Sequence, residues 1–491
     1  MQNTDTMNGT DYYLVMDIGT GNVRVAIVTS KGEVVDIQRD NMQYRKDELY
    51  PDALFFDPNI LWSQLEGLTR SILASNKECP IEAITCSSQR EGIVVIDKDG
   101  KGLIGLPNHD HRGREWEEEI DNKDDIYLKT GRYPGSLFSA MKLLAIRKRQ
   151  PELYKQISCV MSISDWAEFM LTGKQGYEHS QASETLLYGI ESKQWLTELC
   201  EAFSVNSGIL PPLKESGQVF GSLLPALATA WNLSSVPVIT GGADTQLAVE
   251  STQPQPGDIV IVSGTTTPVV KITGEYKTDV EKRTWTNRHT DSSYFILETN
   301  AGVTGLNLQR LKAIFYPNEK YSVMEKELAS ANTSSCFASL GSLIAGEESL
   351  HRGGFVFDVP VSHELTRGSF VHAILWDMLS CIKANLDILI SIAGCDRNYI
   401  WACGGGLQSD LFRQNLADLT GMSVRVRQDY QHASVVGGAV ACNKALGVKS
   451  MEPENYSLIS PGAIGNHEKL MKEWENTRKS FSQQLKEALL V

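Results

Sequence analysis

Two hairpins of the same pattern, far apart in the chain, constrain the fold of this sequence more than any other feature. The first joins two apolar, β-rich runs, Tyr12 to Asp17 and Val23 to Val28, through a glycine-containing turn. The second repeats the pattern with runs at Ile259 to Val262 and Pro268 to Thr273. Such runs, broken by Gly, Ser and Thr, are typical of antiparallel strands and their turns. The repetition predicts two domains that open in the same way, the first of them with a β-meander.

Helical and strand patterns alternate in the rest of the chain. Asn59 to Ala74 and Ser164 to Leu171 have helical periodicity, whereas Ile81 to Cys86 is a short apolar strand pattern. This mixture indicates α/β layers rather than a helix bundle or a β-sandwich. A length of 491 residues exceeds what one hydrophobic core usually serves, so at least two domains are expected.

The domain boundary is predicted in the segment STQPQPG, Ser251 to Gly257, which is rich in Pro, Gly and polar residues. The expected units are residues 11–250, residues 251–452 and a helical tail over 453–491. In that tail, His467 to Leu490 has the pattern of a charged amphipathic helix. The polar start, MQNTDTMNGTD, lacks the apolar segment of a signal peptide and is interpreted as a frayed leader.

Charge and cysteine usage exclude several classes of partner. A net charge of −14 argues against nucleic acid and anionic membranes, because these partners require clustered Lys and Arg. The most apolar long stretch, Phe370 to Ala393, contains Asp377 and Lys383, which predicts a buried helix rather than a membrane span. The nine cysteines are scattered and form no C-x-x-C pair, which favours reduced thiols and a cytoplasmic location.

The turns of the two hairpins carry residues suited to phosphate. In the first, Asp17 precedes the turn Gly19 to Asn22, and Arg24 follows it; in the second, the turn includes Gly264 to Thr266. Glycine-rich turns point backbone N–H groups at phosphate oxygens, and a carboxylate beside them can hold hydrated Mg²⁺. Either turn alone is more often an ordinary turn, so it is the pairing that favours a triphosphate. A dinucleotide fingerprint fits poorly, because Arg24 takes the place of its third glycine, and the chain contains no G-x-x-x-x-G-K-[ST].

Two further strand ends also carry glycines. In GGADTQ, Asp244 follows a predicted Gly-Gly turn, where a carboxylate can deprotonate a substrate hydroxyl. A helix N-cap explains this motif alone equally well. The three glycines of ACGGGLQS, from Ala402 to Ser409, lack side chains, so a flat nucleotide base could lie against the backbone there. Close packing of a helix on a strand explains one or two of these glycines just as well.

A polar segment, Gln89 to Glu91, follows the strand pattern that begins at Ile81. Together with Asp110 and Arg112 downstream, it offers donors and acceptors to vicinal hydroxyls, which suits a sugar or polyol. The alternative for a lone Arg-Glu pair is a surface ion pair. The H-x-H sequence around Asp110 has no other spaced ligands and is more typical of a solvated loop than of a metal site.

Taken in order, these motifs resemble the FGGY carbohydrate kinases, members of the wider actin, Hsp70 and sugar-kinase fold. DIGTGNVRVA is similar to their first phosphate loop, SGTTTP to their second, GGADTQ to their catalytic aspartate turn and ACGGGLQS to their adenosine loop. SISDWAEFMLTGK and VVGGAVA extend the likeness over nearly the whole chain. The resemblance implies two ribonuclease-H-like α/β domains that flank a cleft for nucleotide and substrate.

The resemblance also implies roles for individual residues. Asp244 would be the catalytic base, and Asp17 and Asp244 would hold Mg²⁺ through water. ATP and a small sugar would be the ligands. The substrate would contact Gln89, Arg90, Glu91, Asp110, Asp244 and Thr245. The ATP phosphates and adenosine would contact Gly19, Thr20, Gly21, Asn22, Arg24, Gly264, Thr265, Thr266, Gly405, Gly406 and Leu407.

Within the family, QREGIVV, DWAEFMLTG and GGADTQLA are most similar to the autoinducer-2 kinases. Alternatives are another family substrate (a ketopentose such as xylulose or ribulose, gluconate, or glycerol), an ATP-gated binding module without catalysis, and a degenerate kinase acting as a regulator. Glycerol is disfavoured because the sequence lacks two aromatic residues that pack on glycerol in glycerol kinase: one is replaced around Asn108 and His109, the other by Leu137. His432 stands where the family has an acidic residue, so no role is assigned to it. The sequence leaves open the sugar, the hydroxyl and a homodimer.

Overall fold

The computed structural model describes residues 11–331, 335–350, 352–449, 455–462 and 467–488, with side chains described to residue 482. The leader at residues 1–10 and the proposed boundary between 452 and 453 lie outside these ranges. In the described ranges, no helix is long and apolar enough to cross a membrane.

The strands fall into two large sheets and several short ribbons. In chain order they are β1 Tyr12–Ile18, β2 Asn22–Thr29, β3 Val34–Asn41, β4 Arg45–Lys46, β5 Leu54–Phe55, β6 Ile81–Ser88, β7 Ile93–Ile96, β8 Gly102–Leu106, β9 Cys159–Ser162, β10 Tyr177–Glu178, β11 Tyr188–Gly189, β12 Gln194–Trp195, β13 Leu213–Lys214, β14 Val219–Ser222, β15 Pro237–Ala243, β16 Ile259–Val262, β17 Thr266–Thr273, β18 Trp285–Arg288, β19 Phe295–Val303, β20 Cys336–Ser339, β21 Gly354–Phe357, β22 Tyr399–Cys403, β23 Ser423–Arg427 and β24 Tyr456–Ile459.

The helices cover the faces of these sheets. They are α1 Pro58–Ser75, α2 Lys123–Thr130, α3 Ser139–Arg149, α4 Pro151–Gln156, α5 Ile163–Thr172, α6 His179–Ala182, α7 Thr197–Ala202, α8 Pro225–Trp231, α9 Asp244–Glu250, α10 Gly305–Phe315, α11 Tyr321–Leu328, α12 Arg367–Ala393, α13 Asp410–Thr420, α14 Ala433–Leu446 and α15 His467–Ala488. Short 3₁₀ helices lie at Arg114–Glu119, Ser207–Ile209, Gly405–Gln408 and Tyr430–His432.

The first sheet has the strand order β14-β15-β6-β1-β2-β3. β1, β2 and β3 form the expected antiparallel meander, while β6 and β15 run parallel to β1. The strands form because their β-branched side chains are buried on both faces; every residue of β1 after Tyr12 is buried. The parallel strands β1, β6 and β15 therefore end at one edge of the sheet, and that edge carries Asp17, Gln89 and Asp244.

The second sheet repeats this plan in the order β18-β19-β17-β16-β22-β23-β24. Here β16, β17 and β19 are antiparallel neighbours, and β22 and β23 lie parallel to β16. The edge strand β24 lies in the segment expected to be only a helical tail. It pairs with β23, with Val424 opposite Ile459, and the sequence did not signal it because the half-exposed segment Tyr456–Ile459 is not a continuous apolar run. α15 follows, and its Trp474 is buried against the second core.

Two helices cross between the domains. α9 follows the first sheet but packs its buried Ala248 and Val249 against the second sheet. α14 belongs to the second half of the chain, yet its Val435, Ala439 and Cys442 cover the first sheet. The two helices touch each other at Gly437, where a Cβ would lie 1.8 Å from the carbonyl oxygen of Leu247. The first domain is therefore completed by residues from the second half of the chain.

Candidate active site

The first phosphate turn connects β1 to β2 and is open to solvent. The backbone N–H of Gly19 donates to the carbonyl oxygen of Asn22 at 2.9 Å, and a Cβ on Gly21 would meet no atom within 4 Å. Asp17 lies at the base of the turn, opposite Arg24 in the β1–β2 register. The tip of the turn, at Gly21 and Asn22, is thus exposed with little side-chain cover.

Asp17 has one occupied and one free carboxylate oxygen. Its Oδ2 accepts hydrogen bonds from Arg24 and from the Ser434 hydroxyl, the latter at 3.0 Å. Its Oδ1 is buried without a hydrogen-bond partner in the described residues. A buried carboxylate oxygen is costly to leave unpaired, so this atom fits a role as acceptor for a water of hydrated Mg²⁺. Arg24 uses its Nη2 for both the Asp17 carboxylate and the Ser434 hydroxyl.

The second phosphate turn packs against the glycine loop of the second domain, Gly404 to Gly406, and is hydrogen-bonded to it. Gly264 donates its N–H to the Thr266 carbonyl at 3.0 Å, and Thr265 is exposed at the tip. Gly406 donates to the Ser263 carbonyl at 2.8 Å, and a Cβ on Gly406 would lie 2.2 Å from the Ser263 Oγ. Phosphate turn and glycine loop therefore form one rigid unit.

The three glycines of that loop have different functions. Gly404 has a positive φ of 101°, and a Cβ there would lie 2.4 Å from the Ser263 carbonyl oxygen, so only glycine fits. Gly405 is exposed, and a Cβ on it would meet nothing within 4 Å, which leaves a flat surface. The side chain of Leu407, expected to contact ATP, is instead fully buried in the second core. Only the backbone of Leu407 is available to a nucleotide, because the 3₁₀ turn points its side chain inward.

Asp244 is presented differently from the sequence prediction. The expected Gly-Gly turn is a continuation of β15, which runs to Ala243 with a register shift between Ile239 and Gly242. Gly241 is needed because a Cβ on it would lie 1.7 Å from the carbonyl oxygen of Cys86 on β6, whereas a Cβ on Gly242 would lie 3.1 Å from the Ser180 hydroxyl oxygen. Asp244 is the first residue of α9 and is partly exposed. The strand thus delivers it directly to the sheet edge.

The environment of Asp244 suits a general base. Its Oδ1 accepts a hydrogen bond from the Thr245 N–H at 2.6 Å, and Thr245 is also close through its hydroxyl, at 3.3 Å. Burial, followed by the charge of Asp17, raises the pKa of Asp244 to about 6, while Arg90 opposes this rise. A carboxylate with a pKa just below neutral is ionised at pH 7 and still basic enough to take a proton. The predicted Thr245 lies beside Asp244 and orients it.

Two buried acidic residues hold the segment that carries Asp244. Glu168 on α5 accepts the Gly241 N–H at 2.8 Å. The Ser180 hydroxyl accepts the Ala243 N–H at 3.1 Å, and Glu178 in turn accepts from the N–H and the hydroxyl of Ser180. Burial raises the pKa of Glu178 to about 8. Sequence reasoning missed these contacts, because nothing in the local pattern links residues 168–180 to residues 241–243.

Gln89 supports the first phosphate turn. Its Nε2 donates to the Gly19 carbonyl at 3.3 Å, and its Oε1 accepts the Asn108 N–H at 2.9 Å. Thr20 is held from two sides: the Tyr44 hydroxyl donates to its carbonyl at 2.6 Å, and the Asn108 Nδ2 donates to its hydroxyl at 2.9 Å. Gln89 is fully buried, so it links the substrate side of the cleft to the phosphate turn. Tyr44 was not identified from the sequence, where a lone Tyr after a strand gives no signal.

Arg90 and Glu91 form a buried site rather than a surface ion pair. Arg90 donates to Glu298 of the second sheet through two nitrogens, at 2.6 and 3.0 Å. Glu91 has a positive φ of 57°, which non-glycine residues seldom adopt, and the Gly92 N–H closes this bend on the Arg90 carbonyl at 2.7 Å. Burial, followed by the charge of Glu184, raises the pKa of Glu91 to about 8.

Asp110 does not reach the cleft surface. It is fully buried, and its two oxygens accept hydrogen bonds from the Leu54 N–H at 2.9 Å and from Arg112 Nε at 2.8 Å. The residue stabilises the loop that contains Asn108 and His109. The sequence predicted that the Asp110 carboxylate contacts substrate hydroxyls. It did not reveal that Arg112, two residues later, donates a hydrogen bond to this carboxylate. His109 contacts the Asn108 side chain at 2.9 Å.

The geometry fits a nucleotide and a magnesium ion between the domains. Two open, amide-rich turns, a buried carboxylate oxygen with no partner among the described residues and a bare glycine surface lie along the facing edges of the two sheets. In the described part of the chain, no cluster of three or more His, Cys, Asp or Glu side chains could enclose a metal ion. A site that binds Mg²⁺ mainly through water and phosphate needs no such cluster.

Comparison with family models decides the classification. Residues 12–250 match the N-terminal domain of the FGGY family of carbohydrate kinases, and residues 260–446 match its C-terminal domain. The chain belongs to the FGGY family of carbohydrate kinases. As an FGGY kinase, it is a phosphotransferase that acts on an alcohol group, as the sequence resemblance predicted.

Relatives of this FGGY kinase match more than 90% of the chain. A Bacillus subtilis (strain 168) protein named "Putative sugar kinase YoaC" is 45% identical over 96% of this chain and 97% of its own. Autoinducer-2 kinase from Salmonella typhimurium is 26% identical over 91% of this chain and 88% of its own. The predicted likeness to the autoinducer-2 kinases is thus confirmed as a distant one.

Solved structures confirm the fold. Ligand-bound xylulose kinase from Lactobacillus acidophilus superimposes with a TM-score of 0.82 at 18% identity, covering 96% of this chain and 98% of that one. Plasmodium falciparum glycerol kinase with ADP gives a TM-score of 0.78 at 21% identity, covering 98% and 99%. The sugar-kinase fold that the family resemblance implied is therefore confirmed.

Proposed function

We propose that this FGGY kinase transfers the γ-phosphoryl group of ATP to a hydroxyl of a small, polyhydroxylated substrate similar to that of the autoinducer-2 kinases. The observation that carries the proposal is the position of Asp244. Its partly exposed carboxylate, with a pKa raised to about 6, shares one sheet edge with Asp17 and the first phosphate turn. The 26% identity to autoinducer-2 kinase over most of both chains supports the substrate class.

The residues have separate roles in this proposal. Asp244 accepts the proton of the substrate hydroxyl, and Thr245 fixes its orientation. The N–H groups of the turns at Gly19 to Asn22 and Gly264 to Thr266 bind phosphate oxygens and stabilise the charge that develops during transfer. Magnesium, when bound, supplies charge neutralisation near Asp17 and would be held through water. Closure of the two domains excludes water that would otherwise hydrolyse ATP.

The function is tested by measuring ADP release with a panel of substrates. The panel contains the autoinducer-2 precursor, xylulose, ribulose, gluconate and glycerol, each with ATP and Mg²⁺. We expect at least one uncharged member to stimulate ADP release and to yield a phosphorylated product detectable by mass spectrometry. ATP hydrolysis that is independent of every member, with no phosphorylated product, would contradict the proposal.

Replacement of Ser180 tests how the catalytic segment is held. In Ser180→Ala, the Ala243 N–H loses its buried acceptor, so Asp244 is less well positioned. We expect kcat to fall by about tenfold with little change in the KM for ATP, since loss of alignment affects the transition state more than binding. Steady-state kinetics at several pH values measure this effect.

Ser369→Ala provides the matched control. Ser369 is equally buried, and its hydroxyl accepts in the capping box of α12, far from the cleft. Both substitutions should cost stability by about 1 kcal/mol, but only Ser180→Ala should change kcat. An equal loss of kcat in both variants would show that the effect of Ser180 is general destabilisation.

A further inference from the structure

A buried cluster of charges spans the two domains beside the catalytic edge. We call it the interdomain charge cluster; its members are Arg90, Arg132 and Glu184 from the first domain and Asn287 and Glu298 from the second. Each member is at most 8% exposed. Arg90 comes two residues after Ser88 of β6, and Ser88 pairs with Ala243, the residue before Asp244 on the neighbouring strand. The cluster therefore borders the place where a substrate hydroxyl must lie.

Each guanidinium in the cluster is matched by a carboxylate. Arg90 binds Glu298 through two hydrogen bonds, at 2.6 and 3.0 Å. Arg132 donates to both oxygens of Glu184, at 2.5 and 2.6 Å, and Glu184 also lies 3.7 Å from Arg90. The cluster thus contains two cations and two anions. A bidentate arginine–carboxylate pair is the arrangement that a substrate carboxylate would otherwise form with Arg90.

Glu298 is firmly held as an anion. Burial alone would raise its pKa, but the charge and hydrogen bonds of Arg90 lower the pKa of Glu298 below its usual value. The side-chain amides of Asn287 and Asn300 each donate to it at 3.3 Å. Four donors from three residues fix both oxygens, so Glu298 neutralises Arg90 whenever the two domains are together.

The other described cations near Arg90, Arg132 and Lys142, are buried and already engaged by other groups. Arg132 has two nitrogens without hydrogen bonds, but its guanidinium stacks 4.3 Å from the centre of the Trp285 ring, which covers it. The ammonium of Lys142 donates at 2.7 Å to the carbonyl oxygens of Glu91 and Pro107. A carboxylate on the substrate would therefore be buried among Glu298, Glu91 and Asp244 without a free positive partner, a strongly unfavourable arrangement.

We infer that Glu298 is a specificity-determining residue supplied by the second domain, which makes the site select uncharged sugars or polyols over acidic ones. The inference rests on the proposed function and narrows its substrate class. Hydroxyl and carbonyl groups can still use the outer faces of Arg90 and Glu91 without disturbing the ion pair. Because Glu298 lies on β19, the selection takes effect only when the second domain closes on the first.

Matched substrate pairs test the inference. Xylulose, ribulose and xylitol are compared with xylonate, and glucitol with gluconate, using kcat/KM from ADP release. For the wild-type enzyme, we expect kcat/KM for the best uncharged compound of each set to exceed that for the corresponding acid by about 100-fold or more. A buried charge without a partner is strongly unfavourable. Glu298→Gln should reduce this preference at least tenfold, because Arg90 then becomes available to the substrate carboxylate.

Two further variants make the test decisive. Glu298→Asp keeps the charge and should keep the preference, which separates the effect of charge from that of altered packing. Glu327→Gln removes another arginine-bound carboxylate of the second domain, one that contacts Arg367 at 2.6 and 2.8 Å away from the cleft, and should leave the preference unchanged. Thermal unfolding confirms that each variant is folded.

The outcomes distinguish the inference from the function on which it rests. A wild-type enzyme that prefers the acidic member, or a folded Glu298→Gln variant with an unchanged preference, would overturn the role of Glu298 while leaving the kinase proposal intact. Failure to phosphorylate any uncharged or acidic member would overturn both.

Discussion

Asp244→Asn is expected to lose about 10² to 10⁴-fold in kcat, the range in which general-base catalysis contributes. The amide has almost the same shape as the carboxylate but cannot take the proton of the substrate hydroxyl. Its hydrogen bond to the Thr245 N–H can be kept through the amide oxygen. We therefore expect ATP and substrate to bind with nearly unchanged dissociation constants, measured by calorimetry on the inactive variant.

The pH dependence of the wild-type enzyme provides an independent measurement. Asp244 acts as a base only when ionised, and its pKa is raised to about 6. The value of kcat/KM should therefore rise about tenfold per pH unit below pH 6 and level off above it. A variant that retains half of the wild-type turnover, or a profile with no inflection near pH 6, would refute the assignment of Asp244.

The raised pKa of Asp244 also predicts how Asp244→Asn affects the stability of the fold. A carboxyl whose pKa is higher in the folded than in the unfolded state disfavours folding once it is ionised. Near pH 7 the variant should be as stable as the wild type or slightly more stable, and the difference should vanish below about pH 3, where the carboxyl is protonated in both states. Asp387→Asn, on the exposed side of α12, is the control that should preserve activity.

Gly437→Ala is expected to have the largest effect on the structure itself. The added methyl group would lie 1.8 Å from the Leu247 carbonyl oxygen, 2.5 Å from its carbonyl carbon and 2.9 Å from its Cα. These are backbone atoms of α9, so no side-chain rotation can relieve the overlap, and the two crossing helices must separate. We expect a loss of several kcal/mol in the free energy of unfolding, above the about 1–3 kcal/mol typical of overpacking, together with a loss of kcat, because α9 carries Asp244.

Gly67→Ala is the matched control for this experiment. Gly67 lies in the exposed interior of α1, where a Cβ would meet nothing within 4 Å. Since alanine is favoured over glycine in a helix by about 1 kcal/mol, the control should be neutral or stabilising. Denaturant titrations with activity assays compare the two variants. If Gly437→Ala unfolds at the wild-type midpoint, the described contact between α9 and α14 is not required.

The sequence revealed the elements that repeat or have strong local patterns. The paired hairpins predicted both sheets, and α1 and α5 begin and end within one residue of the expected ranges. The positions of Asp17, Asp244 and the two phosphate turns followed from glycine placement after apolar strands, because that chemistry is encoded locally.

Contacts between distant segments could not be predicted from the sequence, for a physical reason. The partner of Arg90 is Glu298, 208 residues later in the chain, and no periodicity in either segment indicates the other. Gly241 and Gly242 were expected to form a turn, since glycine is common in turns. In the structure, β6 approaches Gly241 closely, and Ser180 and Glu178 approach Gly242, which only the assembled fold shows. The burial of Asp110 and of the Leu407 side chain was not predicted for the same reason, since a motif gives a residue's neighbours in sequence but not the direction of its side chain.

The helix α14 has a consequence for synthesis of the protein. The Tyr13 hydroxyl donates to Asn443 Oδ1 at 2.8 Å across 430 residues, so the first strand is completed by one of the last helices. During translation, the apolar face formed by Tyr13, Val15, Ala83 and Ile239 stays uncovered until residues 433–446 have left the ribosome. Contacts of such long range slow folding and leave apolar surface exposed in the meantime. The nascent first domain is therefore a natural client for a chaperone, and a chain cut before residue 433 should aggregate rather than fold as an independent half.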